Sequence, residues 1–267
     1  MQKLPTYFVS HGGGPWPWMA DWRLMMAQLE ASLVGIAAEL GEKPKAVLMV
    51  TGHWEERDFT VSTSAQPGMV YDYSGFPPHT YQVSYPAPGE PAVAARALAL
   101  LAAAGVPARA DDRRGYDHGT FTPLVAMYPD ADVPVVQVSI KAGYDPAAHL
   151  AAGRALAPLR AEGVLIVGSG LSYHNLREMG PMAKDTSKRF DDWLQATMVA
   201  EPAERTARLI AWDRAPDARR AHPAEDHLVP LMVAVGAAEG EAAACVYHQE
   251  DFFGGVTASS FRVGSLA

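Results

Sequence analysis

Strand-length stretches that are largely apolar, with no regular polar face, alternate along this chain with longer stretches of helical period. Ala46–Thr51 (AVLMVT), Val133–Ile140 (containing PVVQVSI) and Val164–Gly168 (VLIVG) belong to the first kind. A strand with no polar face must be buried on both sides, which happens in sheets covered by helices above and below. The intervening segments read as those helices. Asp21–Leu40 carries apolar residues at helical spacing and ends at Gly41. Pro91–Ala104 opens on a proline and stops at Gly105. Pro146–Ala161, Lys184–Ala200 and His227–Ala238 complete the set. Thr6–Ser10 is a short first strand, and Ala244–Gln249 and Val256–Val263 are closing strands. Strands alternating with helices predict an α/β fold: a single domain over residues 1–267, with a largely parallel central sheet flanked by helices. Ligands of such sheets bind in a cleft at the carboxyl ends of the strands. Gln66–Glu90, rich in Pro, Gly, Ser and Tyr, is either a surface loop or a lid. The charged stretch Glu201–Ala224 reads as a solvated helix–loop region.

Charge and cysteine content narrow the function classes. The net charge of −8 argues against nucleic acid or an anionic membrane as partner. With one cysteine, Cys245, the chain forms no internal disulfide and no cysteine-cluster metal site. A lone thiol suits a reducing compartment, so a cytoplasmic location is expected. The first residues contain no signal-like apolar run, and no stretch of about eighteen apolar residues predicts a membrane span.

The histidines are the informative polar residues. His11 follows the first strand and opens His-Gly-Gly-Gly-Pro; His53 follows AVLMVT through one glycine; His174 comes shortly after VLIVG in Gly-Ser-Gly-Leu-Ser-Tyr-His-Asn. A solitary histidine beside a strand is usually structural. Three just beyond strand carboxyl ends share a cleft, and without cysteines imidazole is the best available ligand for a transition metal. Gly12–Gly14 is either a phosphate cradle, without the lysine or spacing of a P-loop, or a place where backbone approaches a ligand closely. Asp117, beside His118, orients a neighbour or caps the following helix. His222 and His227, with Glu225 and Asp226, are either a helix start whose acids complement the dipole or a metal ligand with its supporting groups. His149 reads as a helix-surface residue, and His79 as a lid contact.

Taken in order, these segments resemble the LigB-like class III extradiol ring-cleavage dioxygenases, in the 4,5-DOPA dioxygenase branch. The resemblance rests on Ser10-His11-Gly12-Gly13-Gly14-Pro15, Gly52-His53-Trp54, Tyr71-Asp72-Tyr73-Ser74-Gly75-Phe76-Pro77 and Tyr85-Pro86-Ala87-Pro88-Gly89. It continues through Asp117-His118-Gly119, Met127 to Pro134, Ser169 to Leu176 and Glu225 to Leu231. It covers nearly the whole chain, with Gly-Gly-Gly after His11 where Gly-Ser-Pro is expected. The resemblance implies a non-haem Fe(II) enzyme that opens a catechol, DOPA-like or otherwise substituted, with both atoms of O₂. It gives His11, His53 and His227 as metal ligands, His174 as acid–base residue or as a further ligand when zinc occupies the site, and His118 as the residue that binds substrate or oxygen. Zn(II) fits the same ligands without the redox chemistry. Tyr71 and Phe76, within a supply of aromatics that includes Trp16, Trp18 and Tyr73, are candidates for the substrate pocket. The expected partners are a small catechol and O₂, and the expected assembly is a monomer or homodimer. Two other readings share the histidine cleft: a zinc hydrolase, and a noncatalytic metal-binding protein of the Memo type.

Overall fold

The computed structural model describes residues 3–266. Among them, eight strands form one sheet in the order β4-β3-β5-β2-β6-β1-β8-β7. The strands are β1 (Thr6–Ser10), β2 (Ala46–Glu56), β3 (Phe59–Ser62), β4 (Ala108–Asp111), β5 (Val135–Lys141), β6 (Val164–Gly170), β7 (Ala243–Phe252) and β8 (Val256–Val263). The helices are α1 (Ala20–Met25), α2 (Ala27–Leu40), α3 (Pro91–Ala103), α4 (His118–Met127), α5 (Pro146–Leu156), α6 (Lys184–Met198), α7 (Pro202–Ile210), α8 (Ala218–Ala221) and α9 (Val229–Ala237). No helix among the described residues is long and apolar enough to cross a membrane.

The four central strands β5, β2, β6 and β1 are mutually parallel; β3, β8 and β7 add antiparallel pairs at the flanks. The central strands are the apolar runs of the sequence, and they are buried along almost their whole length. Their register decides where the site lies. Ser10 pairs with Gly170, and Thr51 pairs with both Ser169 and Ser139. Strands β1 and β6 therefore finish together, level with Thr51 of β2 and Ser139 of β5. Helix α9 is buried at every position, as its apolar sequence VPLMVAVGA requires.

Several elements depart from the sequence expectation. The helix expected over Asp21–Leu40 breaks at Met26, because its two halves serve different surfaces. Helix α2 buries Leu29, Leu33 and Ile36 toward the core, whereas α1 has no fully buried residue and carries Trp22 to the cleft. Strand β2 runs past Thr51 to Glu56, with a register shift against β5 between Thr51 and Glu55. Such a bulge bends a strand and re-aims its side chains, and His53 lies on it. Strands β3 and β4 have four residues each, too short for a periodic signal. The Glu201–Ala224 stretch forms α7, α8 and a short turn, but it is not solvated throughout: Arg205 and His222 are fully buried. Arg205 donates to the main-chain oxygens of Glu239 and Glu241, both at 2.7 Å.

His149 is also buried and not on the helix surface. Its Nδ1 donates to Asp145 O at 2.7 Å and its Nε2 accepts from Lys141 N at 3.1 Å, tying the start of α5 to the end of β5. Both bonds need the neutral ring, and burial lowers its pKa to about 4. The unfolded chain takes up this proton near pH 6.5. Stability is therefore full above that value and falls as pH drops toward 4, by on the order of 2 kcal/mol at pH 5 for this one group. Urea unfolding at pH 7.5 and 5 should show a smaller pH loss for His149→Gln than for the wild type. An equal loss in both proteins would mean that His149 is not held neutral.

Candidate functional site

Three segments bring imidazoles to the common end of the central strands. His11 is the first residue after β1, and its N–H continues the sheet by donating to Gly170 O at 3.1 Å. His53 stands on the β2 bulge, where Arg114 donates to His53 O at 3.2 Å and to Asp117 at 2.8 Å. His227 precedes α9, and its carbonyl accepts from Leu171 N at 3.1 Å. That last segment lies against the strand ends only because Gly170 and Gly52 carry no side chain. A Cβ at either would collide with the main-chain oxygen of His227 or Asp226.

The His53 ring turns its Nε2 toward those of both other rings, and the ring centres of His11 and His227 are 5.1 Å apart. His11 Nε2 is 3.2 Å from His53 Nε2, which is 3.0 Å from His227 Nε2. Each Nδ1 faces an acceptor. His227 Nδ1 donates to Asp226 Oδ2 at 2.6 Å, and Asp72 Oδ2 lies 3.2 Å from His53 Nδ1. For His11 the acceptor is Ser169 Oγ at 3.1 Å. That hydroxyl is available because it spends its own proton on Gly119 O. Gly119 O is free in turn because Pro123, four residues on in α4, has no N–H to give it. With the proton on Nδ1 in each ring, all three Nε2 lone pairs face inward.

Burial keeps these rings neutral. His11 and His227 are held well below the ordinary imidazole range, first by desolvation and then by neighbouring histidines. Burial likewise lowers His53 to about 3, partly offset by Asp72 and Asp226. Three neutral nitrogens facing one another without a proton form a receptor for a cation. A metal–nitrogen bond of about 2.0–2.1 Å places two nitrogens of one ion roughly 3.0–3.4 Å apart, and the observed separations match. The donor set therefore fits a divalent transition metal, with Asp72 and Asp226 nearby to balance its charge.

Two more histidines flank this set. His118 opens α4, which Asp117 caps by accepting from Thr120 N at 3.2 Å. His118 donates through Nδ1 to Asp72 Oδ1 at 2.7 Å, and its ring centre is 3.9 Å from that of His53. Burial raises the Asp72 carboxyl, but the His118 bonds and His53 outweigh it and hold the group below its ordinary value. His174 stacks face to face on His227, with ring centres 3.4 Å apart, and its Nδ1 is 3.8 Å from Asp226 Oδ2. Burial lowers His174 to about 4, against the pull of Asp226, so it is neutral at pH 7. Each carboxylate thus serves one ring of the converging set and one flanking ring: Asp72 for His53 and His118, Asp226 for His227 and His174.

These rings form the floor of a cavity of about 450 Å³. Its walls come from distant segments and include Trp22, Tyr73, Phe76, Tyr173, Met179 and Phe253. Phe76 lines the cavity, and Tyr71 does not. Its hydroxyl is drawn to Val83 O at 2.7 Å, leaving the side chain partly exposed on the loop. Trp16 is buried and donates to His11 O at 2.9 Å, and Trp18 packs edge-on against Phe121. The Gly12–Gly14 run lies close against aromatic rings: a Cβ at Gly13 would strike Phe253, and one at Gly14 would strike Phe76. His79 is exposed, against Trp18 O, and His248 lies apart near Asp191.

Sequence reasoning assigned no role to Asp72 or Ser169. Asp72 sits inside a recognisable aromatic motif, but nothing in that motif shows which imidazoles it meets. Its replacement supplies a test. Asp72→Asn should weaken metal binding about 10–100-fold, because the orienting charge on His53 is lost. Chelator competition measures this, and an unchanged affinity would remove Asp72 as the group that organises His53.

Residues 26–264 match the family described as the catalytic LigB subunit of aromatic ring-opening dioxygenase. The chain is 38% identical over 259 residues to the dioxygenase tasH of Hapsidospora irregularis, covering 90% of this chain and 80% of that protein. It is 38% identical to the 4,5-DOPA dioxygenase extradiol of Beta vulgaris, covering 91% and 90% of the two chains. The protein of the same name in Escherichia coli K12 is 33% identical over 250 residues, 90% of this chain and 87% of its own. A crystal structure of an uncharacterized protein from Escherichia coli K12 superposes with a TM-score of 0.79 at 28% identity, covering 98% of this chain and all of that one. By the extent of these matches, the chain belongs to the LigB family of aromatic ring-opening dioxygenases.

Proposed function

We propose that this protein holds Fe(II) through Nε2 of His11, His53 and His227 and uses it to open a catechol ring beside its two hydroxyls. Both atoms of O₂ enter a muconic-semialdehyde-type product. The observation that carries this reading is the convergence of three neutral imidazole nitrogens, 3.0–3.2 Å apart along the set, on the floor of an apolar cleft. The names of the 4,5-DOPA dioxygenase relatives support a catechol as substrate. Bound Fe(II) supplies the redox chemistry that the spin-forbidden encounter of triplet O₂ with a singlet catechol requires.

The chain supplies position and protons. His174, neutral at pH 7 and backed by Asp226, accepts the proton of a catechol hydroxyl and returns it as the ring opens. His118, oriented by its Nδ1 bond to Asp72, lies on the cleft floor beside His53 and binds the substrate or oxygen there. The aromatic walls exclude water and stack on the ring of the substrate.

The test is O₂ uptake by protein reconstituted with Fe(II) under anaerobic conditions, offered a panel of catechols, with the yellow ring-opened product followed by absorbance. Uptake equal to product, mole for mole, is expected. Absent uptake with iron bound, together with ester hydrolysis by the zinc form without O₂, would replace this reading with that of a zinc hydrolase.

A further inference from the structure

The cavity walls contain more chemistry than ring opening needs, and that chemistry is apolar. Among the described residues, no lysine or arginine lines the cavity. Its one lining carboxylate, Asp72, is at the floor and already engaged by His118 and His53. The two lining tyrosines offer rings and not hydroxyls: Tyr73 donates its proton to Thr80 O at 2.5 Å, and Tyr173 donates to Glu178 O at 2.7 Å. Trp22 sets its ring edge-to-face against Phe76 and Phe253, with centres 5.4 and 5.9 Å apart, making a continuous aromatic wall. Leu176 lines the same cavity yet is 70% exposed, so an apolar side chain stands where the cavity meets solvent. A volume of about 450 Å³ is in the range of small-molecule sites and exceeds what a bare dihydroxybenzene fills.

On the dioxygenase reading above, we infer that the substrate is a catechol bearing an uncharged, apolar substituent, which extends from the histidine floor along Trp22, Phe76 and Phe253 toward Leu176. A ring bound at the floor directs its substituent along this wall. A carboxylate or ammonium on that substituent meets no lysine, arginine or free carboxylate among the lining residues, whereas an alkyl or aryl group buries itself against the wall. The preference is thus a property of this wall and is separable from the ring-opening chemistry.

The experiment compares 4-butylcatechol with two charged probes, 3,4-dihydroxyphenylpropionate and 3,4-dihydroxyphenylalanine. For the Fe(II)-loaded enzyme, kcat/KM should be at least about tenfold higher for 4-butylcatechol, one decade in transition-state affinity. Binding is read separately as quenching of tryptophan fluorescence in the zinc-loaded protein, which does not turn over, with Trp22→Phe to identify the reporter. The affinity order should match. Leu176→Arg, a change at an exposed position, should move the kcat/KM ratio toward the propionate by roughly fivefold or more. Cleavage of the charged catechols as well as or better than 4-butylcatechol would overturn the inference and leave the dioxygenase reading intact. Tighter binding of 4-butylcatechol with no ring opening of any catechol would uphold the apolar wall and overturn the reaction. Equal binding of all three probes with no turnover would overturn both.

Discussion

His11→Ala is expected to lose metal binding and ring opening together. The His11 ring is fully buried, and its Nε2 faces that of His53 at 3.2 Å. Removing it leaves two nitrogens, of His53 and His227, where three converge. Losing an outer hydrogen-bond partner of a metal ligand typically costs about 10–100-fold in affinity, so losing the ligand itself should cost more. The variant should retain no iron after dialysis and show O₂ uptake at background. A second consequence is thermodynamic. A metal present at 100 times its dissociation constant stabilises the folded state by about 2.7 kcal/mol. The wild type should therefore melt at a higher temperature when a divalent metal is added, and His11→Ala should not. Full metal content in this variant would show that the converging nitrogens are not the ligand set, and His118 with its neighbours would become the better candidate.

His174→Ala is expected to separate what His11→Ala joins. The His174 ring lies flat on His227 and beside the convergence, so its removal leaves the three facing nitrogens in place. Iron content should stay near that of the wild type. Turnover should fall about 10²–10⁴-fold, the usual contribution of a positioned acid–base group. The measurement pairs iron analysis with single-turnover product formation on the same preparation. Wild-type turnover would end the assignment of His174 as base. Loss of iron would make it a ligand and place the proton transfer elsewhere, with His118 next in position.

Part of this site is legible along the chain for a physical reason. Sheet strands that are buried on both faces are largely apolar, and a chain leaving such a strand reaches the cleft within a residue or two. A histidine directly after an apolar run, as at His11 and His53, therefore announces where it will be. The α/β class follows from the same runs and from the helical stretches between them. His227 is different. It precedes a helix instead of following a strand, so its place in the set rested on family resemblance. The approach that delivers it depends on Gly52 and Gly170, which are ordinary glycines until the strands are paired.

What the sequence by itself determined is what depends on neighbours in the chain: the strand and helix alternation, the segments at the carboxyl ends of strands, and the supply of imidazoles without competing thiols. Only the tertiary structure decided that Asp72 holds both His53 and His118, and that Pro123, through Gly119 and Ser169, sets the proton on His11. The same is true of the burial of His149, the outward turn of Tyr71, and the wall that Trp22 shares with Phe76 and Phe253. Periodicity records which side of an element is buried. Hydrogen-bond partners and cavity walls are contacts between segments up to hundreds of residues apart, and they exist only once the register of the parallel strands has brought those segments to one edge.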